Sequence, residues 1–256
     1  LIAEHYGLSF PRRAVLPYAI ALDRAQRILA SLGQDDFALR ASQVGEALWK
    51  NDMASLDALM DELGSVSLEE AEAARERGTN RRKELKHYSG AMFYYAGEWY
   101  WGVDRLYHLE ERLQALGLDR HPDEPKIAPR PTGPSFDQKD NGTLTLEVYP
   151  SLRSPYTSIV FDRTLKLAEE SGVNLVTRPV LPMVMRGVPA TREKGVYIFL
   201  DTAREARAAG VPYDKFYDPI GNPVRRAYAL YPWAVRKNKG NAFLSAFLSA
   251  AFAKGL

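Results

Sequence analysis

The sequence predicts a mixed α/β protein, and three of its features lead to this class. Residues 18–87 repeat apolar side chains at helical spacing, which is typical of packed helices. Residues 90–102 are aromatic and are interrupted by Ala-Gly, which favours a β-hairpin. Residues 143–182 show the pattern of a strand, a helix and a second strand. We therefore expect a helical region combined with a hairpin and a βαβ unit.

The helical region divides into four predicted helices. They cover residues 18–33, 35–50, 53–63 and 67–87. The last of them opens at Ser67, and Glu70 follows three residues later, which is the pattern of a capping box.

The segment GAMFYYAGEWYWG, residues 90–102, predicts two short strands joined by a tight turn at Ala96-Gly97. A helix is expected after it, from Val103 to Leu116. Residues 119–142 then hold five prolines with glycine and charged residues, and they show no periodicity. This composition is typical of a linker, so we expect separate globular parts on its two sides.

The βαβ unit begins with TLTLEVYP, residues 143–150, which alternates as a strand does. Residues 155–171 have helical spacing and end at Gly172, and VNLVTRPVLP, residues 173–182, predicts the second strand. A helix that crosses over between two neighbouring strands makes them parallel, and we expect this connection to be right-handed. The helices expected after this unit cover residues 191–209 and the chain from Pro223 onward.

Composition excludes several classes of function. There is no cysteine, which excludes disulfides, thiolate metal ligands and a cysteine nucleophile. The four histidines are scattered, so we expect no metal site. Lys and Arg number 34 against 32 Asp and Glu, mixed along most of the chain, so we expect no nucleic-acid partner. No apolar run is long enough for a bilayer and no signal peptide opens the chain, so we expect a cytoplasmic protein without a membrane partner.

Four segments of the chain carry a recognisable family pattern. Three are EVYPSLRSPYTSIVFDRTLKLAEESGVNLVTRPVL, KGVYIFLDTAREARAAGVPYDKF and NAFLSAFLSAAFAKG, and the fourth is GAMFYYAGEWYWGVDRLYHLEERL. They resemble the group of 2-hydroxychromene-2-carboxylate isomerases and kappa-class glutathione transferases, within the DsbA-like thioredoxin superfamily. The resemblance implies a thioredoxin fold that consists of a βαβ unit, a helical insertion, and then a β-hairpin with a closing helix.

The fourth segment resembles the C-terminal end of the family but comes first in this chain. We therefore expect a tandem-domain protein with two partial DsbA-like copies and incomplete ends. Residues 1–118 would hold the helical insertion and C-terminal ββα of the first copy, residues 119–142 the Pro-rich linker, and residues 143–256 the N-terminal βαβ and helical insertion of the second. An internal repeat of residues 3–29 with residues 206–230 favours the same organisation.

The stretch SLRSPYTS, residues 151–158, puts Ser154 at the start of a predicted helix. Related oxidoreductases have their first active-site cysteine at this position. By resemblance, Ser154 is the catalytic residue and donates a hydrogen bond to the thiolate of bound glutathione, the implied cofactor. A hydroxyl group and a helix N-terminus both stabilise an anionic sulfur. The alternative is that Ser154 is only the N-cap before a proline at N1, and the two roles can coexist.

Three neighbours of this helix are candidates for binding glutathione or substrate. Arg153 would attract a glutathione carboxylate or an acidic substrate, with a solvated loop arginine as the alternative. Tyr156 would form part of the core or of the pocket wall. Arg178 ends a strand that points toward the pocket in the family fold, and it would bind an anion.

The segment WGVDR, residues 101–105, resembles the family's short loop that holds the glutamyl end of glutathione. Trp101, Asp104 and Arg105 are the binding candidates carried over from this resemblance. The alternative is the first turn of a helix, where the dipole favours an acidic residue. Met92 stands where the family usually has a proline before its third strand, and this departure weighs against a thiol site in the first copy.

The sequence thus favours a glutathione-dependent isomerase or transferase relative that acts on a small aromatic or hydrophobic acid. The resemblance implies reversible addition of a thiolate to a conjugated substrate. The alternative is a non-catalytic thioredoxin-like binding or scaffold protein, which Met92 and the absence of cysteine favour. The expected partner is the small-molecule substrate, and a homodimer is left open.

Overall fold

The computed structural model describes residues 2–8, 15–131 and 139–256, and these residues form a mixed α/β structure rich in helices. The helices are α1 (Ile2–His5), α2 (Ala19–Ser31), α3 (Gln34–Lys50), α4 (Met53–Leu63), α5 (Leu68–Glu84), α6 (Leu106–Ala115), α7 (Pro155–Ser171), α8 (Arg192–Ala209), α9 (Asn222–Arg236) and α10 (Gly240–Ala253). The strands are β1 (Met92–Tyr95), β2 (Glu98–Trp101), β3 (Thr145–Val148) and β4 (Asn174–Thr177). Short 3-10 turns cover Val103–Arg105 and Met183–Arg186. The predicted mixed α/β class is confirmed.

The chain forms two compact units, residues 1–86 and residues 87–256. The sequence predicts this separation at the linker, residues 119–142. The division falls earlier because Arg105 and Tyr107, which precede the linker, bond to side chains of α8, which follows it. The assignment of two partial DsbA-like copies remains a prediction.

The first unit is helical. Its core consists of Ala21, Ala25, Ile28, Val44, Ala47 and Leu56, which α2, α3 and α4 contribute at helical spacing. The predicted capping box of α5 is confirmed. The backbone N–H of Glu70 donates to the Ser67 hydroxyl at 3.2 Å, and the backbone N–H of Ser67 donates to the Glu70 carboxylate at 2.8 Å.

The hairpin opens the second unit. Strands β1 and β2 pair antiparallel, with Met92 opposite Trp101 and Tyr95 opposite Glu98. The turn residues Ala96 and Gly97 have φ of +44° and +91°, and positive φ at both central positions is what a two-residue hairpin turn of type I′ requires. The predicted hairpin is therefore confirmed.

The βαβ unit is also confirmed. Strands β3 and β4 pair in parallel, with Thr145 opposite Asn174 and Val148 opposite Thr177, and α7 connects them. This pair and the hairpin are two separate two-stranded sheets among the described residues. Helix α7 ends at Gly172, whose φ is +73°. A Cβ at this position would lie 2.0 Å from the Asp140 carbonyl oxygen, so the close approach of the two segments requires glycine.

Helices α9 and α10 complete the second unit. Helix α10 packs against both α7 and α9, and α8 packs against α7. The core between them consists of Leu152, Phe161, Val224, Ala227, Leu244, Leu248, Ala251 and Phe252. This packing leaves the N-terminus of α7 at the edge of the core, where the candidate site lies. Among the residues described, no helix combines the length and the apolar character that crossing a membrane needs.

Candidate functional site

The first feature of the site is the start of helix α7. Ser154 has extended backbone angles, and Pro155 occupies the first helical turn, where a missing N–H costs nothing. The Ser154 hydroxyl oxygen accepts a hydrogen bond from the backbone N–H of Thr157 at 3.2 Å. Ser154 is therefore an N-cap, as one of the two alternatives predicted. Because this bond uses only the oxygen, the hydroxyl hydrogen remains free to donate to a ligand.

A cavity of about 390 Å³ opens in front of this helix start. Its walls are mostly apolar, and the larger contributors are Val180, Leu181, Met183, Ile198, Phe199 and Phe216. Ser151, Ser154 and Thr157 supply hydroxyl groups to its lining. Among the described residues, no aspartate, glutamate or histidine lines it. Apolar walls with a few polar groups on one side are typical of a site for a small organic ligand.

Three cations line the same cavity: Arg153, Arg186 and Lys194. Arg153 donates through Nε and a terminal nitrogen to the two Asp218 carboxylate oxygens, both at 2.7 Å, so its charge is already balanced. Arg186 and Lys194 have no carboxylate partner in the part of the chain that the structure describes. The Lys194 ammonium group lies 5.9 Å from the centre of the Tyr88 ring, within the range of a cation–π contact. These two cations therefore give the cavity a net positive charge.

Tyr156 connects the cavity to a buried carboxylate. Its ring lines the cavity, and its hydroxyl donates to Asp201 Oδ2 at 2.7 Å. Burial, together with the bond to Asp201, raises the pKa of Tyr156 above its usual value. The hydroxyl is therefore neutral and already engaged, so Tyr156 contributes its ring to the cavity wall.

Asp201, on helix α8, is only 1% exposed and accepts hydrogen bonds from four side chains. Arg105 Nε lies 3.0 and 3.1 Å from its two oxygens, and Tyr156 donates at 2.7 Å. The Tyr197 hydroxyl and Arg204 donate to Oδ1 at 3.2 and 3.3 Å. We call these five residues the Asp201 cluster. Because a buried charge needs such partners, the cluster joins the segment before the linker to α7 and α8.

Glu205 lies one helical turn after Asp201 and extends the charged region. The Tyr107 hydroxyl donates to it, His108 Nε2 lies 2.9 Å from Oε1, and Arg105 lies at 3.4 Å. Burial raises the pKa of Glu205, but hydrogen bonds from His108 and Tyr107 and the charge of Arg105 outweigh burial and lower it to about 2. Glu205 is therefore an ionised structural residue at neutral pH.

We compared the chain with protein-family models, with curated proteins and with solved structures. None of these comparisons finds a match.

The structure places the predicted site residues in two groups. Arg153, Ser154 and Tyr156 line the cavity. Four others lie outside it, and they are Arg178, Trp101, Asp104 and Arg105. Arg178 is exposed and donates to Glu147 at 2.6 Å.

The three candidates of the WGVDR segment lie close together in the chain at the end of the hairpin. Trp101 is the last residue of β2, and Asp104 and Arg105 belong to the 3-10 turn that follows. Asp104 accepts from Arg105 at 2.8 Å, and the Trp101 backbone N–H donates to the Tyr197 hydroxyl at 3.1 Å. The sequence analysis assigned Arg105 and Ser154 to different copies. In the structure they belong to one unit, and they are linked through Asp201 and Tyr156.

Sequence reasoning missed Asp201, Glu205, Arg186 and Lys194. For Asp201 a signal was present, since it follows Tyr197 by four residues on the buried face of α8, where an apolar residue is expected. Arg186 and Lys194 gave no signal. They reach the cavity from segments on either side of a loop, and no local periodicity marks them.

Proposed function

We propose that the protein is a cytoplasmic, glutathione-dependent isomerase or transferase relative, of the 2-hydroxychromene-2-carboxylate isomerase and kappa-class type, with a DsbA-like thioredoxin architecture. Its substrate would be a small aromatic or hydrophobic acid. The observation that carries the proposal is the N-terminus of α7, where Ser154 faces an apolar cavity with two unbalanced cations.

The residues at the helix start fit a bound thiolate. Ser154 would donate its free hydroxyl hydrogen to the sulfur while its oxygen keeps the capping bond to Thr157. The positive end of the α7 dipole lies at the same place and favours an anion. Bound glutathione would supply the thiolate that adds to a conjugated double bond and leaves again.

Carboxylate binding would fall to Arg186 and Lys194. The sequence predicts this role for Arg153 and Arg178, but both of those arginines are paired with carboxylates of the chain itself. Arg186 and Lys194 line the cavity and have no such partner among the described residues. Their charges would orient an acidic ligand with its apolar part against Ile198, Phe199 and Phe216.

The cavity wall also fits the type of reaction. The described lining offers no carboxylate or imidazole that could act as a general base. A reaction in which the same nucleophile enters and leaves requires no net proton transfer by the protein. The chain would therefore act by binding, orienting and stabilising the thiolate.

A second candidate is a non-catalytic thioredoxin-like binding or scaffold protein. One observation favours it: Met92 lies on β1, and no hairpin residue lines the cavity, so the hairpin does not present its backbone to a ligand there. Binding of glutathione without turnover of any conjugated acid would select this candidate.

Calorimetric titration with glutathione tests the proposal. We expect saturable binding in the millimolar range or tighter, and weaker binding of S-methylglutathione, which has no thiolate. Ser154→Asp keeps an N-cap but cannot donate to an anion, so it should retain stability and lose binding. Ser154→Ala should lose binding and also about 1 kcal/mol of stability through the cap. Absence of binding at millimolar glutathione, or equal binding by Ser154→Asp, would contradict the proposal.

A further inference from the structure

A basic surface on helix α9 lies apart from the cavity and from the Asp201 cluster. The last 38 residues of the chain, 219–256, contain no Asp or Glu, and their cations are Arg225, Arg226, Arg236, Lys237, Lys239 and Lys254. The first four lie on or directly after α9 and are exposed. None of these four has an ion pair with any residue that the structure describes. The whole-chain charge of +2 hides this local excess.

Large apolar side chains lie among these cations. Trp233 is 55% exposed and Leu230 is 53% exposed. The opposite side of α9, with Val224, Ala227 and Ala234, is buried in the core of the second unit. Core packing therefore accounts for the inner side of α9 but leaves Trp233 and Leu230 in solvent.

The order of residues around the helix arranges this surface in rows. At about 100° per residue, Arg225 and Arg236 fall on one side, Arg226 and Lys237 on the other, and Trp233 between them. We call this surface, residues 225, 226, 229, 230, 233, 236 and 237, the α9 outer face. An exposed indole ring with cations on both sides suits a planar anionic partner, because all of these side chains can then contact one plane at the same time.

We infer that the α9 outer face docks on an anionic lipid surface, with Trp233 and Leu230 inserted at the level of the headgroups. Arginine and lysine bind lipid phosphates and carboxylates electrostatically, and tryptophan prefers the membrane interface. Nucleic acid would attract the same cations, but Trp233 and Leu230, both more than half exposed, favour a partner with an apolar layer behind its anionic groups. The sequence predicts no membrane partner because it has no apolar run long enough to span a bilayer, and a surface-docking helix needs no such run.

Vesicle binding tests this inference with the full chain. We expect co-sedimentation with vesicles of phosphatidylcholine and phosphatidylserine, little with phosphatidylcholine alone, and weaker binding as salt is added. Arg226→Gln with Lys237→Gln should lower the partition coefficient about twenty-five-fold, because each cation near an anionic surface contributes about five-fold. The matched control is Arg163→Gln with Arg192→Gln, which removes the same charge from exposed positions of α7 and α8. This control should change the partition coefficient much less.

Tryptophan emission supplies a second measurement. Vesicles with phosphatidylserine should shift the emission to shorter wavelength, and Trp233→Phe should abolish the shift while the protein still binds. Circular dichroism checks that each variant is folded. No binding to anionic vesicles, an equal loss in both charge variants, or binding to duplex DNA without binding to vesicles would overturn the inference. Glutathione titration of the Arg226 and Lys237 variant should be unchanged, so the two proposals fail independently.

Discussion

The substitution Asp201→Asn removes one charge from the Asp201 cluster with almost no change in volume. The amide can still accept at one oxygen, but its NH₂ group then faces donors, and Arg105 and Arg204 lose their shared countercharge. Removing one partner of a buried ion pair typically costs about 3–5 kcal/mol. We expect the free energy of unfolding of the second unit to fall by an amount in this range, because Asp201 is 1% exposed and accepts five hydrogen bonds.

Asp104→Asn is the matched control, because Asp104 also bonds to Arg105 but is 40% exposed. An exposed pair contributes at most about 1 kcal/mol, so this variant should be close to the wild type. Urea unfolding followed by tryptophan emission, in a Trp49→Phe background, reports on the second unit alone, because the remaining tryptophans lie there.

At a slope of about 2 kcal/mol per molar urea, Asp201→Asn should lower the unfolding midpoint by about 1.5–2.5 M. Asp104→Asn should lower it by less than about 0.5 M. If Asp201→Asn costs no more than Asp104→Asn, the buried carboxylate does not join the two segments, and the reasoning that assigns them to one unit is refuted.

Two further predictions concern the second unit. Because the pKa of Glu205 is lowered from 4.5 to about 2, its ionised form stabilises the fold above pH 4.5, and up to about 3 kcal/mol should be lost as the pH falls toward 2. Urea midpoints measured from pH 5 downward should fall less steeply in Glu205→Gln, and an identical slope would contradict the assignment. Gly172→Ala should cost more than about 2 kcal/mol, because a positive φ is combined with a 2.0 Å approach to a backbone oxygen. In the same unfolding assay Gly187→Ala, at φ of +79° with open space around it, should cost about 1 kcal/mol, and equal losses would show that the contact is relieved at no cost.

Local signals in the sequence predicted the secondary structure well. Helix α7 begins and ends where Ser154, Pro155 and Gly172 indicated, because capping, proline and left-handed glycine act within one turn of the chain. The hairpin turn at Ala96-Gly97 is another case, since the turn type depends on two residues only.

Contacts between distant residues were not predictable in the same way. Arg105 and Asp201 are 96 positions apart, and no periodicity connects them. The sequence analysis consequently separated their segments at the linker. Arg178 follows β4 as expected. Its guanidinium group, however, forms an exposed ion pair with Glu147 on the neighbouring strand β3 and does not line the cavity. Where a charged side chain finds its partner depends on the packing of whole elements.

The pairing of Arg105 with Asp201 also bears on how this sequence can change over generations. Loss of either member unbalances the charges of the buried cluster, and selection for a folded protein removes such a change. Exchange of both for apolar residues takes the shared acceptor away from Tyr156, Tyr197 and Arg204, so a tolerated change has to involve the rest of the Asp201 cluster as well. We therefore expect relatives of this chain to keep the members of the Asp201 cluster together or to replace them together.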